Sequence, residues 1–137
     1  MRMIPYLYFK GACEDALGFY SDCGLGNVTE LRRYAGTPME ERDGGAWREK
    51  VLHSRFEGEG VLFYASDGPD SEPMKGSALL IEMPNAQAGS VVFEKMSEGG
   101  RVTVAFKQQL WGDFYGNFTD RFGVQWAILV PDGASTD

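Results

Sequence analysis

Two side chains that could do chemistry, His53 and Arg55, stand two positions apart in residues 51–56. Histidine ordinarily titrates near neutral pH, so His53 is the natural general acid–base candidate. If the stretch is a β-strand, both side chains share one face, although the sequence does not fix which face. Together they could bind an anionic group, arginine through its bidentate fork. A hydrogen-bonded structural histidine is the alternative interpretation.

The two cysteines, Cys13 and Cys23, fall in one predicted helix. Their spacing separates them by about 15 Å along the helix axis, which is beyond disulfide reach. Cys13 lies at the beginning of this helix, where a thiol can be activated, but an unpaired cysteine is more often simply buried. We interpret both as structural thiols.

Composition and charge exclude several classes of protein. The chain has a net charge of -7 and a pI near 4.7, which oppose binding to phosphate backbones. Its 43% hydrophobic content excludes disorder, and no apolar run approaches the roughly 20 residues of a membrane-spanning helix. Residues 1–9 have no signal-peptide pattern. We expect a soluble, cytoplasmic protein that binds neither nucleic acid nor membrane.

The first half of the chain supplies the elements that would position His53 and Arg55. The hydrophobic pattern predicts a strand, a helix and three strands, at residues 4–9, 12–23, 28–34, 51–56 and 61–65. Glu14 and Asp15 occupy the first turn of the helix, and Gly24 follows its end. Residues 35–45 are rich in Gly, Pro and charge, which predicts a loop.

The second half repeats this order after a linker at residues 66–75. Its strands are predicted at residues 77–83, 102–106, 114–118 and 124–130. Between Asn85 and Gly99 a helix is predicted, with one apolar side formed by Ala88, Val91, Val92 and Met96. The sequence therefore predicts an α+β fold of two βαβββ modules, at residues 1–70 and 75–133.

Several segments carry a family resemblance. They are PYLYFKG at 5–11, EDAL at 14–17, FY at 19–20, ASDG at 65–68, LWGDFYG at 110–116 and FTDRFGVQW at 118–126. These segments resemble the PhnB-like branch of the glyoxalase/bleomycin resistance/dioxygenase superfamily, also called the vicinal oxygen chelate superfamily. The resemblance covers residues 3–130. It implies one glyoxalase-like domain over residues 1–137, in which the two modules form curved mixed sheets around a cavity.

Metal-dependent relatives of this fold place a His or Glu on the first and last strands of each module. The corresponding residues here, by the resemblance, are Pro5, Phe63, Ser77 and Ala127. None of these four residues is a good metal ligand, whereas a catalytic site for a divalent metal needs about three protein ligands. The chain also has only 1 His. The sequence therefore predicts no metal and no cofactor.

PhnB-like proteins also carry a ubiquinone methyltransferase-like label. A methyltransferase of the common type needs a parallel sheet with a glycine-rich strand-to-helix loop. Gly24 and Gly26 follow a predicted helix instead, so we interpret them as its C-terminal cap.

The resemblance also implies which residues line the cavity. Alternation from the ligand-equivalent positions gives an inward set of Leu7, Phe9, Phe63, Ala65, Leu79, Ile81, Gln125, Ala127 and Leu129. This mostly apolar wall suits an organic ligand, although core packing would give the same alternation. Trp111 could cap a ligand or bury a subunit interface, and we favour the interface. Proteins similar to this one are usually homodimers.

Three functions follow from these patterns. The first is a PhnB-like protein that binds a small organic molecule in a metal-free apolar cavity, without catalysis, using His53 and Arg55. The second is a metal-dependent lyase, isomerase or dioxygenase, which would need a carboxylate site displaced from the usual positions. The third is a structural or regulatory dimer with a filled barrel. The missing metal ligands favour the first.

Overall fold

A strand, a helix and three strands follow one another twice in the computed structural model of this protein, which describes residues 1–134. The chain divides into two compact units, Met1–Pro73 and Met74–Asp137, called unit 1 and unit 2 below. The predicted modules, 1–70 and 75–133, each lie within one unit. The element order and the two mixed sheets confirm the predicted α+β fold.

Unit 1 is a four-stranded sheet with one helix. Its elements are β1 (Tyr6–Phe9), α1 (Cys13–Asp22), β2 (Asn27–Arg33), β3 (Val51–Gly58) and β4 (Val61–Asp67). The strand order is β1-β4-β3-β2, with β1 parallel to β4 and the other pairs antiparallel. The predicted loop between β2 and β3 contains a short 3-10 turn, Arg42–Gly45.

The apolar stripe of α1 packs on one face of this sheet. Ala16, Leu17 and Tyr20 are at most 1% exposed and recur at helical spacing. The Tyr20 ring meets Phe63 of β4 edge-on, with the ring centroids 6.1 Å apart. Such aromatic pairs add about 1 kcal/mol each to the free energy of area burial.

Two glycines allow the chain to cross itself closely where α1 leads into β2. At Gly26, with φ at 152°, an added Cβ would overlap the carbonyl oxygen of Glu57 in β3. At Gly58 an added Cβ would overlap the carbonyl oxygen of Leu25. Both positions therefore require the absence of a side chain.

A buried carboxylate ties together the ends of three elements of unit 1. Asp67, 2% exposed, ends β4 and accepts hydrogen bonds from the backbone N–H groups of Gly11, Cys13 and Val51. The three distances are 2.8, 3.0 and 3.0 Å. Asp67 thus satisfies donors at the beginnings of α1 and β3 that would otherwise be buried without partners.

Unit 2 has the same architecture. Its elements are β5 (Leu79–Glu82), α2 (Ala86–Ser97), β6 (Arg101–Gln108), β7 (Phe114–Thr119) and β8 (Gln125–Val130). The strand order is β5-β8-β7-β6, with β5 parallel to β8. Asn85 caps α2 by accepting a hydrogen bond from the backbone N–H of Ala88 at 2.8 Å. Asp120 accepts hydrogen bonds from Val124 N and Trp126 Nε1.

The buried side of α2 differs from the predicted one. Gly89, Phe93 and Met96 are buried, whereas Val91 is 48% exposed. The prediction is confirmed for Met96 and wrong for Val91, because the stripe at helical spacing runs through positions 89, 93 and 96, and Val91 falls outside it. Within residues 1–134, no helix is long and apolar enough to cross a membrane.

Candidate functional site

The sheet of unit 1 has one face under α1 and one open face. Leu7, Phe9 and Phe63 lie on the helix side, where they are 6%, 5% and 2% exposed. Alternate residues point the other way. We call the opposite surface the tyrosine face; it carries Tyr6, Tyr8, His53, Arg55 and Tyr64.

The inward set inferred from the sequence therefore mixes two faces. Leu7, Phe9 and Phe63 belong to the core rather than to the face that carries His53 and Arg55. The alternation that starts at Pro5 selects Leu7 and Phe9, whereas the exposed side of β1 is formed by Tyr6 and Tyr8, one residue out of step.

Three further members of the set, Ala65, Leu79 and Ile81, also lie on the helix-covered side of their sheets. Ala65 of β4 is fully buried, and Leu79 and Ile81 pair with the buried Trp126 and Ile128. Gln125, Ala127 and Leu129 alternate with Trp126 and Ile128 along β8 and so lie on the other side of its sheet, where Gln125 and Leu129 are half-buried and Ala127 is 3% exposed.

Contacts on the tyrosine face centre on His53. The hydroxyl of Tyr6 and Nδ1 of His53 are 3.2 Å apart and hydrogen-bonded. The edge of the His53 ring meets Tyr64, with ring centroids 5.3 Å apart, and Tyr6 stacks on Tyr8 at 4.9 Å. The His53 imidazole therefore contacts both Tyr6 and Tyr64. We call this row of rings, Tyr8, Tyr6, His53 and Tyr64, the aromatic ladder.

Arg55 joins the same cluster through Tyr64. Its guanidinium carbon lies 5.9 Å from the centroid of the Tyr64 ring, within cation–π range. Its terminal nitrogen pairs with Glu57 Oε1 at 3.1 Å. Among residues 1–134, the buried Nε of Arg55 has no hydrogen-bond partner. The structure therefore brings His53 and Arg55 together, as their spacing predicts, and leaves Arg55 with an unused donor.

A cavity of about 510 Å³ in unit 1 begins at the end of the aromatic ladder. Tyr8 and its cross-strand partner Ser66 line it, together with Tyr34, Arg42, Asp67 and residues 68–72. Arg42 bonds Asp70 at 3.2 Å. The volume is that of a pocket for a small organic molecule.

Cys13 does not contribute a nucleophile to this region. It is fully buried, and its Sγ lies 3.9 Å from Ser54 Oγ. Burial, together with the charge of Asp67, raises the pKa of the thiol to about 12. The group is therefore protonated at neutral pH and is a structural thiol.

The other predicted site residues, Trp111 and Gln125, lie in unit 2. Trp111 is 63% exposed in the turn after β6, and its indole N–H donates to Asp113 Oδ2 at 3.1 Å. Gln125 begins β8 and lines a cavity of about 380 Å³ within unit 2.

The tyrosines of the tyrosine face are the residues that sequence reasoning missed. Their signal is visible in β1, where Tyr6 and Tyr8 alternate with the wholly apolar Leu7 and Phe9. A hydroxyl-bearing ring suits a half-exposed face better than a buried one, so polarity identifies the open side.

The positions equivalent to metal ligands do not fit a metal. Pro5 precedes β1, Phe63 lies in the core, Ser77 precedes β5, and Ala127 is 3% exposed. Across residues 1–134, no group of three or more His, Cys, Asp or Glu side chains is placed to hold an ion. These donors do not match the sites that the metal-dependent relatives use.

A family model described as 3-demethylubiquinone-9 3-methyltransferase matches residues 1–129. The chain belongs to this PhnB-like family. It is 25% identical to Protein YjdN of Escherichia coli over 95% of each chain. The crystal structure of PA1353 from Pseudomonas aeruginosa is 27% identical, with a TM-score of 0.84 over 96% of this chain and 98% of that one.

Two further structures share the PhnB-like fold. The PhnB protein of Bacillus cereus superposes with a TM-score of 0.79 at 19% identity, over 96% of this chain and all (100%) of that one. A glyoxalase/bleomycin resistance protein/dioxygenase from Nocardioides gives a TM-score of 0.58 at 15% identity, over 99% and 87%. The fold is therefore that of the glyoxalase/bleomycin resistance proteins.

The description of the PhnB-like family names a methyltransferase. The usual methyl-donor site of such enzymes needs a glycine-rich loop between a parallel strand and a helix. Here Gly24, with φ at 88°, follows α1, and Gly26 makes room for the carbonyl of Glu57. These glycines end a helix and allow a close crossing of the backbone, so they do not fit that donor site.

Proposed function

We propose that this PhnB-like protein binds a small organic molecule with an aromatic portion and an anionic group, and that the tyrosine face of unit 1 is the binding surface. The observation that carries the proposal is that His53 and Arg55 both contact one ring, Tyr64, at 5.3 and 5.9 Å from its centroid. One ligand can therefore meet the imidazole, the guanidinium and the aromatic ladder at once.

The two parts of the ligand match two parts of the site. Tyr6 and Tyr8 offer stacked ring faces, and the cavity of about 510 Å³ that begins at Tyr8 provides room for the organic portion. Hydrogen bonds from a charged donor are worth about 1.5 to 3 kcal/mol, and the side chain of Arg55 is 33% exposed, so its guanidinium can meet an anionic group. Glu57 forms an ion pair with one terminal nitrogen of the Arg55 guanidinium and thereby orients it.

A homodimer and a cytoplasmic location belong to the same proposal. Leu110 and Trp111, 105% and 63% exposed, supply apolar surface that a second copy of the chain would cover. Nothing in the donor set of the tyrosine face requires a metal for binding, so we propose recognition without a metal.

Calorimetric titration with benzoate and benzamide tests the binding mode, because the two probes differ in charge and hardly in shape. Substituting Arg55→Met keeps the side-chain stem and removes the charge. We expect benzoate binding to weaken about tenfold or more and benzamide binding to change little, as the loss of one charge-assisted hydrogen bond predicts. His53→Gln should weaken benzoate binding by a smaller factor.

Arg101→Met is the matched control, since Arg101 is exposed on β6 of unit 2 and the change is chemically identical. It should leave the affinity for benzoate unchanged. Equal losses in the two variants would mean that net charge alone attracts the probe. If neither benzoate nor phenyl phosphate shows saturable binding, the proposal is wrong.

A further inference from the structure

Unit 2 has a cavity of its own, with a volume of about 380 Å³. It lies on the sheet of unit 2 near the beginnings of β5 and β8. Its polar side chains are hydroxyls and carboxamides, contributed by Ser77, Thr103, Asn117, Thr119 and Gln125. Phe118 and Trp126 also border the cavity, but both are 2% exposed, so they offer a ligand little aromatic surface. Within the described part of the chain, residues 1–134, its lining includes no charged side chain.

The hydrogen bonds already made by the two carboxamides decide what they can offer a ligand. Asn117 donates from Nδ2 to the hydroxyl of Tyr115 at 3.1 Å, so its Oδ1 is left as an acceptor. Gln125 accepts at Oε1 from the backbone N–H of Ser77 at 3.3 Å, so its Nε2 is left as a donor. The carboxamides therefore present one acceptor and one donor in fixed orientations.

The hydroxyls add groups that can serve as either donor or acceptor. Thr119 lies directly across from Gln125 in the β7–β8 pair, and Thr103 comes from the neighbouring strand β6. Ser77, Thr103 and Thr119 each bring to the lining a hydroxyl that can donate and accept a hydrogen bond. A ligand rich in hydroxyl groups can satisfy such a mixed set, since each of its groups also both donates and accepts.

We propose that this cavity binds an uncharged, polyhydroxylated molecule of about the size of a monosaccharide. A charged ligand would lose its hydration here without gaining a counter-charge, which makes its entry costly. A purely apolar ligand would leave the carboxamides of Asn117 and Gln125 unsatisfied, which is also costly. The volume lies within the range of small-molecule pockets, roughly 300 to 1,000 Å³.

NMR titration of the full chain with D-glucose, D-ribose and myo-inositol tests the proposal. The side-chain amide signals of Asn117 and Gln125 report directly on the cavity. We expect at least one neutral probe to shift both signals in a saturable way. D-gluconate and D-glucosamine, the charged counterparts of glucose, should bind at least tenfold more weakly.

Gln125→Glu should weaken binding of the neutral probe about tenfold, because it replaces the donor Nε2 by a carboxylate. Gln87→Glu is the matched control, since Gln87 is exposed on α2 and the change in charge is the same. The proposal fails if no neutral probe moves the two amide signals, if the charged sugars bind as well, or if both variants behave alike. The wild-type titration decides the question even if Gln125→Glu does not fold.

Discussion

The two units share a strand order and a helix-covered face, yet their open faces carry different chemistry. In unit 1 the open face has three tyrosines, a histidine and an arginine, and Tyr64 connects the last two. In unit 2 the corresponding side holds hydroxyls and carboxamides around a cavity. The difference teaches that one βαβββ framework fixes where a binding face lies, while the alternate residues of its strands decide what binds there.

The buried faces are more alike than the open ones. Each sheet carries a cluster of aromatic rings under its helix, around Phe63 in unit 1 and around Phe118 in unit 2. Each unit also has a buried aspartate that accepts backbone N–H groups, Asp67 and Asp120. Equivalent substitutions in the two units should therefore lower stability for the same physical reason. The comparison between the units can be tested with such pairs.

The largest change in the free energy of unfolding is expected for substitutions that distinguish the buried face of each sheet from its open face. Phe63→Ala and Phe118→Ala empty core positions that are 2% exposed, so each should lower the free energy of unfolding by about 3 to 5 kcal/mol. Asn117→Ala, one residue away on the open face, should cost about 1 kcal/mol or less, and Tyr64→Ala about 2 kcal/mol because its half-buried ring contacts Tyr6, His53 and Arg55. Urea unfolding followed by circular dichroism measures all four. Similar losses at positions 63 and 64 would contradict the assignment of faces.

The next effect concerns the buried aspartates. Asp67→Ala removes the acceptor for three backbone donors and should cost about 3 kcal/mol, because the buried N–H groups lose their partners. Asp120→Ala should cost a similar amount in unit 2. Asp70→Ala provides the control, since that side chain is 91% exposed and its pair with Arg42 should contribute about 1 kcal/mol at most. A loss at Asp70 as large as at Asp67 would rule out the proposed structural role.

The smallest expected effect is a pH-dependent contribution to stability from Glu14, which α1 has and α2 lacks. The hydrogen bond with Arg33 lowers the pKa of Glu14 in α1, whereas the first turn of α2 has no acidic residue. A lowered folded-state pKa stabilises the protein above the unfolded pKa of glutamate, near 4.3, and this contribution is lost as the pH falls through the folded pKa. Glu14→Gln should therefore reduce stability slightly at pH 7 and not at pH 2.

Thermal unfolding at the two pH values checks this expectation, with Glu94→Gln on α2 as the control because Glu94 is exposed. A stabilising effect of Glu14→Gln at pH 7 would contradict the sign of the pKa shift. The pair is half exposed, so salt should weaken its contribution.

Sequence reasoning recovered the framework because repetition of one pattern constrains both halves. The strands and helices were found where apolar residues keep a period of two or of about 3.6. His53 and Arg55 were correctly placed on one face, since that inference needs only the alternation within β3.

The sequence pattern predicts less well which of the two faces of a strand is buried. Alternation from the ligand-equivalent positions Pro5 and Phe63 predicts that Leu7, Phe9 and Phe63 line the cavity, whereas all three are buried in the core. The role of Tyr64 depends on the pairing of Tyr64 with Arg55 across β3 and β4, a contact between distant parts of the sequence that no local pattern reveals. The neutral lining around Gln125 likewise arises only when three strands come together.

The close crossing at Gly26 has a counterpart in unit 2. There an added Cβ on Gly100, just before β6, would overlap the carbonyl oxygen of Thr119 at the end of β7. The two glycines occupy the same step of the βαβββ order, ahead of the second strand and against the end of the third. A substitution at either crossing would force two backbones apart. Both units therefore exclude a side chain at the same step of the fold, whereas the alternate residues of their strands are free to differ.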